Sequence, residues 1–174
     1  MIECGSGVST IALARALRES GGRLHALEHD AGWAVFVVAS LEREGLEANA
    51  TVIDAPLRPH PRALDGADWY DERAVARLPG GPVDLLLVDG PPASEPGLER
   101  SRYPALGVLG DRLAEDGIVV LDDVNRPGET EVLAAWERES EFRFVRRPEE
   151  RIAIGRREPP AGSAARGSVT GQSA

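Results

Sequence analysis

The chain has 174 residues, a formal net charge of −9, one cysteine and three histidines, and every other basic side chain is arginine, with no lysine anywhere. The length suits a single α/β domain with a substantial core, and the acidic balance argues against a surface that tracks nucleic-acid phosphates. Cys4 has no partner for an intrachain disulfide, which fits a reducing cytoplasm; no apolar run reaches membrane-spanning length, and the N-terminus lacks a secretory layout.

The first thirty residues carry the densest signal. Met1 and Ile2 read as the end of a strand closing on Glu3, Gly5 and Gly7 make a tight turn, and Ser9 or Thr10 caps a helix with Ile11, Leu13, Ala14 and Leu17 on one side. Glycines at such a turn let backbone N–H groups approach a ligand. Leu24 to Leu27 form the next strand, and Glu28 stands just past its end. That is about twenty residues beyond the glycines, where nucleotide-binding α/β folds hold a ribose hydroxyl pair. A central strand normally shows more apolar residues before its acid than Met1 and Ile2, so the first strand reads as clipped.

Trp33 to Leu41 is apolar nearly all round and predicts a well-covered helix ended by Gly45. Thr51 to Ile53 make a short strand closing on Asp54. The proline-rich connection from Ala55 to Pro82, with a short helix over 71–78, is long enough to be functional or to hold a small element of its own. Val83 to Val88 is the near-continuous apolar run of a strand buried on both faces, ending in Asp89-Gly90-Pro91-Pro92. Leu106, Leu109 and Leu113 predict a helix over 102–115, followed by a strand over 118–121 that closes on Asp122-Asp123. A helix over 129–139 presents Val132, Leu133 and Trp136, and 142–145 with 151–154 read as a terminal hairpin. From about Arg156 the chain is rich in Gly, Ser, Ala, Pro and Arg without periodicity. The predicted organisation is thus a core over 1–156 and a disordered tail over 157–174. Strands alternating with helices imply an α/β, doubly wound, mostly parallel Rossmann-like sheet.

Glu3, Glu28, Asp54, Asp89, Asp122 and Asp123 all fall at predicted carboxyl ends of strands, where open α/β sheets bind their ligands. A dinucleotide fingerprint wants a third glycine, but the series here is Gly5, Gly7, Thr10. The E-x-G-x-G turn with an acid ending the second strand resembles class I S-adenosylmethionine-dependent methyltransferases. V-D-G at 88–90, Tyr103 and G-I-V-V-L-D-D at 117–123 further resemble small-molecule O-methyltransferases that use a divalent metal, over a span from Glu3 to about Ile154. The resemblance implies a closing antiparallel hairpin, strand order 3-2-1-4-5-7-6, and helices ahead of the first strand that are missing here. It also implies cofactor contacts from Glu3, Gly5, Ser6, Gly7, Ser9, Glu28, His29, Asp54, Ala55 and Asp89. Glu28 would take both ribose hydroxyls, and Asp54 with the Ala55 main chain would meet the adenine edge. Asp89, Asp123 and Tyr103 would be catalytic, and Asp89, Asp122 and Asp123 would hold Mg²⁺ or another divalent cation.

Three carboxylates at the ends of strands about 4.8 Å apart repel one another unless something neutralises them, and a hard cation does so. Otherwise Asp122 or Asp123 caps the next turn and Asp89 touches only the cofactor's amino group. The lysine that catechol-type enzymes place three residues after the first metal aspartate is Pro92 here. The base then falls to His60, Tyr103 or Asp123, or metal polarisation of the acceptor hydroxyl suffices. Asn125 is either a neutral oxygen ligand or a turn residue. The expected function is methyl transfer to the hydroxyl of a small-molecule acceptor, with no nucleic-acid or membrane partner. N-methyl transfer is one alternative, since D-G-P-P superficially matches the D-P-P-Y loop of amino-group methylases; a clipped, non-catalytic domain is the other. The acceptor's identity and the oligomeric state, a homo-oligomer included, are left open by the sequence.

Overall fold

In chain order the elements of the computed structural model, which describes residues 1–158, are β1 (Ile2–Cys4), α1 (Val8–Ser20), β2 (Leu24–Glu28), α2 (Ala31–Glu44), β3 (Ala50–Asp54), β4 (Leu57–Pro59), β5 (Asp68–Tyr70), α3 (Glu72–Val75), β6 (Val83–Val88), α4 (Pro104–Leu109), β7 (Leu113–Leu121), α5 (Pro127–Glu139), β8 (Phe142–Arg147) and β9 (Ile152–Arg157). Seven strands form one sheet in the order β3-β2-β1-β6-β7-β9-β8, and β9 alone runs antiparallel to its neighbours. Numbered within that sheet, this is the expected 3-2-1-4-5-7-6. The order reverses between β1 and β6, so the ligand crevice of such a sheet opens beyond Cys4 and Val88.

The sequence explains these placements. β6 lies between β1 and β7 and buries Val83, Leu86 and Val88, as a strand covered on both faces must. Alternation along β2 sends Leu24 to a cluster with Ala14, Val37 and Leu41 under α1 and α2. It sends Leu27 to a larger cluster with Leu86, Leu106, Leu133 and Trp136 on the opposite face. The long connection after β3 holds the two-stranded β4–β5 ladder and α3, and drives Trp69 and Tyr70 into the core.

Three expectations are corrected. The helix read over 102–115 ends at Leu109, passes through a 3₁₀ turn at Gly110–Arg112, and gives way to β7 at Leu113. Leu113 is buried, but as the partner of Val83 across the sheet; apolar spacing of three and four residues had hidden the change of period. The tail does not begin at 157: Arg157 closes β9 and donates to the carbonyls of Gly110, Leu113 and Ala114, and Glu158 still donates its backbone N–H to Glu141. The rest of the expected tail lies outside the described residues. Finally, α2 is not covered all round. Ala34, Val37 and Leu41 face the sheet, while Val35 and Phe36 are 69% and 55% exposed. The helix flanks the sheet's edge beside β3, so among the described residues only one stripe of it is buried.

Leu41→Ala should therefore lower the unfolding free energy by about 2–5 kcal/mol in chemical denaturation, and Val35→Ala should change it by less than about 0.5 kcal/mol. Comparable losses would mean that both faces of α2 are packed.

Candidate active site

The turn after β1 is built by close backbone approach. Gly5 has φ +88°, and a Cβ there would lie 3.0 Å from the Asp89 carbonyl oxygen. A Cβ on Gly90 would stand 2.5 Å from the Tyr70 hydroxyl and 2.8 Å from the Gly5 backbone. The ends of β1 and β6 thus touch through two glycines, and Tyr70 closes the floor beneath them. Over this floor opens a cleft of about 310 Å³ lined by Gly5, Ser6, Glu28, His29, Asp30, Trp33, Tyr70, Asp89, Gly90 and Pro92.

Glu28 anchors one wall. Its Oε2 accepts from the Ser6 backbone N–H at 2.8 Å and the Ser6 hydroxyl at 2.9 Å, and its Oε1 accepts from the Asp30 N–H at 2.9 Å, with His29 Nδ1 3.0 Å away. The Trp33 indole N–H donates to the Ser6 carbonyl at 2.8 Å and ties α2 to the turn. Asp89 borders the opposite strand end. Burial raises its pKa to about 6; Arg102 opposes that shift, while Asp122 and Asp123 add to it. The Tyr70 hydroxyl is fully buried and has no hydrogen-bond partner among the described residues, although it lies against this cleft.

Not every expected residue lines the cleft. Glu3 is fully buried behind the turn, where its two oxygens accept from the Ser9 and Thr10 hydroxyls, each at 2.6 Å. Glu3 and Ser9 therefore brace the start of α1, and neither lines the cleft. Gly7 is the N-cap of α1 and donates its N–H to Thr10 Oγ1. Asp54 points to a separate groove beside α2, and the buried Ala55 donates its N–H to the Glu28 carbonyl. Tyr103 is displaced furthest. It lines a larger groove of about 810 Å³ between α4 and α5, which shares no residue with the cleft, and its hydroxyl donates to Glu139. Its neighbour Arg102 is instead buried among Asp89, Asp122 and Asp123. His60 is also elsewhere, against the edge of Trp69 and 3.8 Å from Glu72. Cys4 is buried, and that burial pushes its thiol's pKa up, so it is no nucleophile.

Asp89, Asp122 and Asp123 do converge, with one carboxylate oxygen of each within 4.8 Å of the others. β7 ends at Leu121, and Asp123 adopts φ +58°, so the two adjacent aspartates escape strand alternation. The neutralising cations, however, are arginines. Arg102 Nη2 lies 3.0 Å from Asp89 Oδ1 and 3.3 Å from Asp123 Oδ2. Arg126 lies 2.8 Å from Asp123 Oδ2, and Arg151 pairs with Asp123 Oδ1. Asp122 Oδ1 accepts from the Asp123 N–H, and Asn125 donates to the Pro148 carbonyl as a turn residue. With both Asp123 oxygens engaged by guanidinium groups, the donor set as folded does not fit a divalent ion. Arg102, Arg126, Arg151, Glu129 and Tyr70 were not singled out from the sequence. The available signal was indirect: in a chain without lysine, a buried acid that takes a permanently charged partner must take an arginine.

A methyltransferase domain family model matches residues 2–124, more than two thirds of the chain. Comparison with curated proteins gave no match. Among solved structures, the chain is similar to the S-adenosylhomocysteine-bound methyltransferase PaMTH1 of Podospora anserina, with TM-score 0.69 and 16% identity, covering 91% of this chain and 71% of that one. It is similar to an O-methyltransferase of Bacillus cereus in complex with S-adenosylhomocysteine, with TM-score 0.59 and 21% identity, covering 90% and 73%. It is also similar to the precorrin-6y C5,15-methyltransferase of Geobacter metallireducens, with TM-score 0.56 and 18% identity, covering 89% and 76%. The chain belongs to the methyltransferase domain family, and its sheet is that of the class I methyltransferases. Identities this low establish the fold and leave the acceptor to the site.

Burial raises the pKa of Glu3 to about 7 against the pull of the Ser9 and Thr10 hydroxyls. The folded chain then holds a proton that the unfolded chain has released, so this group lowers stability as pH rises from about 4.5 to 7. The imidazoles of His25 and His60, lowered by burial, act in the opposite sense. Urea unfolding at pH 5 and pH 8 should therefore show Glu3→Gln gaining stability relative to the parent chain at the higher pH. An identical pH dependence in the two proteins would contradict the protonated, buried Glu3.

Proposed function

We propose that this domain binds S-adenosylmethionine in the cleft and directs its methyl group to a hydroxyl of a small molecule, with Asp89 as the base. The observation that carries the reading is that one cleft brings together the glycine turn, Glu28 and Asp89. The fit of the cofactor rests on three features: two glycines that keep side chains out of the junction of β1 and β6, a buried hydroxyl without a partner among the described residues, and a carboxylate beside the turn. Glu28 would hold the ribose hydroxyls, the Gly5–Gly7 turn would pass the methionine part, and Tyr70 would hydrogen-bond the bound molecule from below.

S-adenosylmethionine, when bound, supplies a sulfonium methyl group that passes to a nucleophilic oxygen as the carbon–sulfur bond breaks with its electron pair on sulfur. The residues of the chain mainly align the acceptor and manage one proton. Asp89 takes the acceptor's hydroxyl proton on its carboxylate as the oxygen becomes nucleophilic, then releases it to water. A pKa raised to about 6 suits that task, because the group is ionised at neutral pH yet more basic than an ordinary carboxylate. The proposed acceptor is a small molecule because an acidic chain offers little to a nucleic-acid backbone. A reducing cytoplasm is the proposed location; Cys4 is buried as a free thiol, and no described helix is long and apolar enough to cross a membrane.

A metal-assisted form is the second reading, and the convergence of Asp89, Asp122 and Asp123 favours it. It requires Arg126 or Arg151 to release Asp123.

Asp89→Asn should lower kcat by about 10²–10⁴-fold while calorimetric affinity for S-adenosylhomocysteine stays nearly constant. The log of kcat/KM for the unaltered chain should rise with pH and level off above about 6, as Asp89 ionises. Retained turnover in the variant would remove Asp89 from the chemistry. Tyr70→Phe should leave the ligand-free chain as stable as before, because it deletes an unpaired buried hydroxyl, and should weaken S-adenosylhomocysteine binding by about 1 kcal/mol. Lost stability with unchanged affinity would assign the hydroxyl to the fold instead.

A further inference from the structure

The six oxygens around Arg102 form the kind of cage that a hard cation takes. Nε donates to the Pro91 carbonyl at 3.4 Å, and Nη1 donates to the Asp122 carbonyl at 3.1 Å and lies 3.4 Å from Glu129 Oε1. Nη2 donates to the Asp89 carbonyl at 3.1 Å, to Asp89 Oδ1 at 3.0 Å and to Asp123 Oδ2 at 3.3 Å. Every nitrogen of the guanidinium is engaged, and the residue is only 3% exposed. Two of these carboxylates are the first and third members of the acidic trio expected to hold a divalent ion, and the cage also clasps the main chain after β6 and after β7.

We infer that the Arg102 guanidinium takes the place of a divalent cation in this chain, so that methyl transfer is metal-independent and Arg102 is the positioning residue that fixes Asp89. The inference rests on the reading of Asp89 as base, and it separates two jobs that a metal ion would combine. A metal neutralises the acids and also binds the acceptor oxygen through an open coordination position. Arg102 performs only the first, because it is buried and its donors are already used. Holding Asp89 Oδ1 leaves Oδ2 as the oxygen available to a substrate proton. Unlike a bound ion, this cation belongs to the chain and is insensitive to chelators. The flat, forked guanidinium reaches five residues at once, which a lysine ammonium on a single point cannot do.

The test has two arms. Free Mn²⁺ is followed by its electron paramagnetic resonance during titration of the unaltered chain, and melting temperature is read with and without EDTA. The expected result is no saturable site below millimolar Mn²⁺ and no shift with EDTA. One tightly held Mn²⁺ per chain, lost in Asp122→Asn, would overturn the inference. In the second arm, Arg102→Lys keeps the charge and loses the cage. It should lower kcat roughly 100-fold through misplacement of Asp89, move the pH–rate limb upward by about half a unit or more, and leave S-adenosylhomocysteine affinity within about threefold. An unmoved limb with unchanged kcat would overturn the positioning role. If the variant fails to fold, the Mn²⁺ arm still decides the substitution of guanidinium for metal. If no S-adenosylhomocysteine binds, it is the proposed function that fails, since neither Mn²⁺ binding nor melting depends on that ligand.

Discussion

The buried guanidinium of Arg102 is the interaction on which the acidic end of β6 and β7 depends. Four acids meet there, Asp89, Asp122, Asp123 and Glu129, against the three cations of Arg102, Arg126 and Arg151. Such a network is costly to desolvate, so it adds little net stability, but removing one partner leaves its counterpart buried without compensation at a cost of about 3–5 kcal/mol. What the network supplies is position. It joins the loop after β6, the turn after β7 and the first turn of α5 through side chains.

The other half of the site depends on contact rather than charge. Gly5 and Gly90 allow the ends of β1 and β6 to meet without side chains between them, and the β4–β5 insertion brings Tyr70 beneath that meeting point. Glu28 then fixes the turn from the β2 side through Ser6. The cleft is therefore framed by the neighbouring ends of β1, β2 and β6. Asp89 is the group that links the two halves, lining the cleft and pairing with Arg102.

The fold was legible because its signals are local and redundant: the glycine turn, the acid ending each strand, and the uniformly apolar run at Val83 to Val88. Glu28 and Asp89 were legible for the same reason, each being an acid at a fixed place after an apolar strand. Glu3 shared that pattern, but it pairs inside the sheet with Ala26 and Leu87, two residues short of the level of Glu28 and Asp89, and there it meets the hydroxyls at the start of α1. Tyr103 and Arg102 show the limit more sharply. They are adjacent in sequence, yet one lies in a groove between helices and the other inside the acidic cluster. Nothing in composition or spacing distinguishes them; the direction of each is set by long-range packing of Trp136 and the loop at Pro91. Arg151 reaches Asp123 from the turn of a hairpin 28 residues away, a contact that only the folded sheet creates.

A crystal structure of the chain with S-adenosylhomocysteine would test the central claim most directly. The account predicts the ligand across the Gly5–Gly7 turn, its ribose hydroxyls on Glu28, its sulfur facing Asp89, and Arg102 still caged by oxygens. Ligand density confined to the groove between α4 and α5, or Arg102 displaced by a metal ion at the three aspartates, would contradict it.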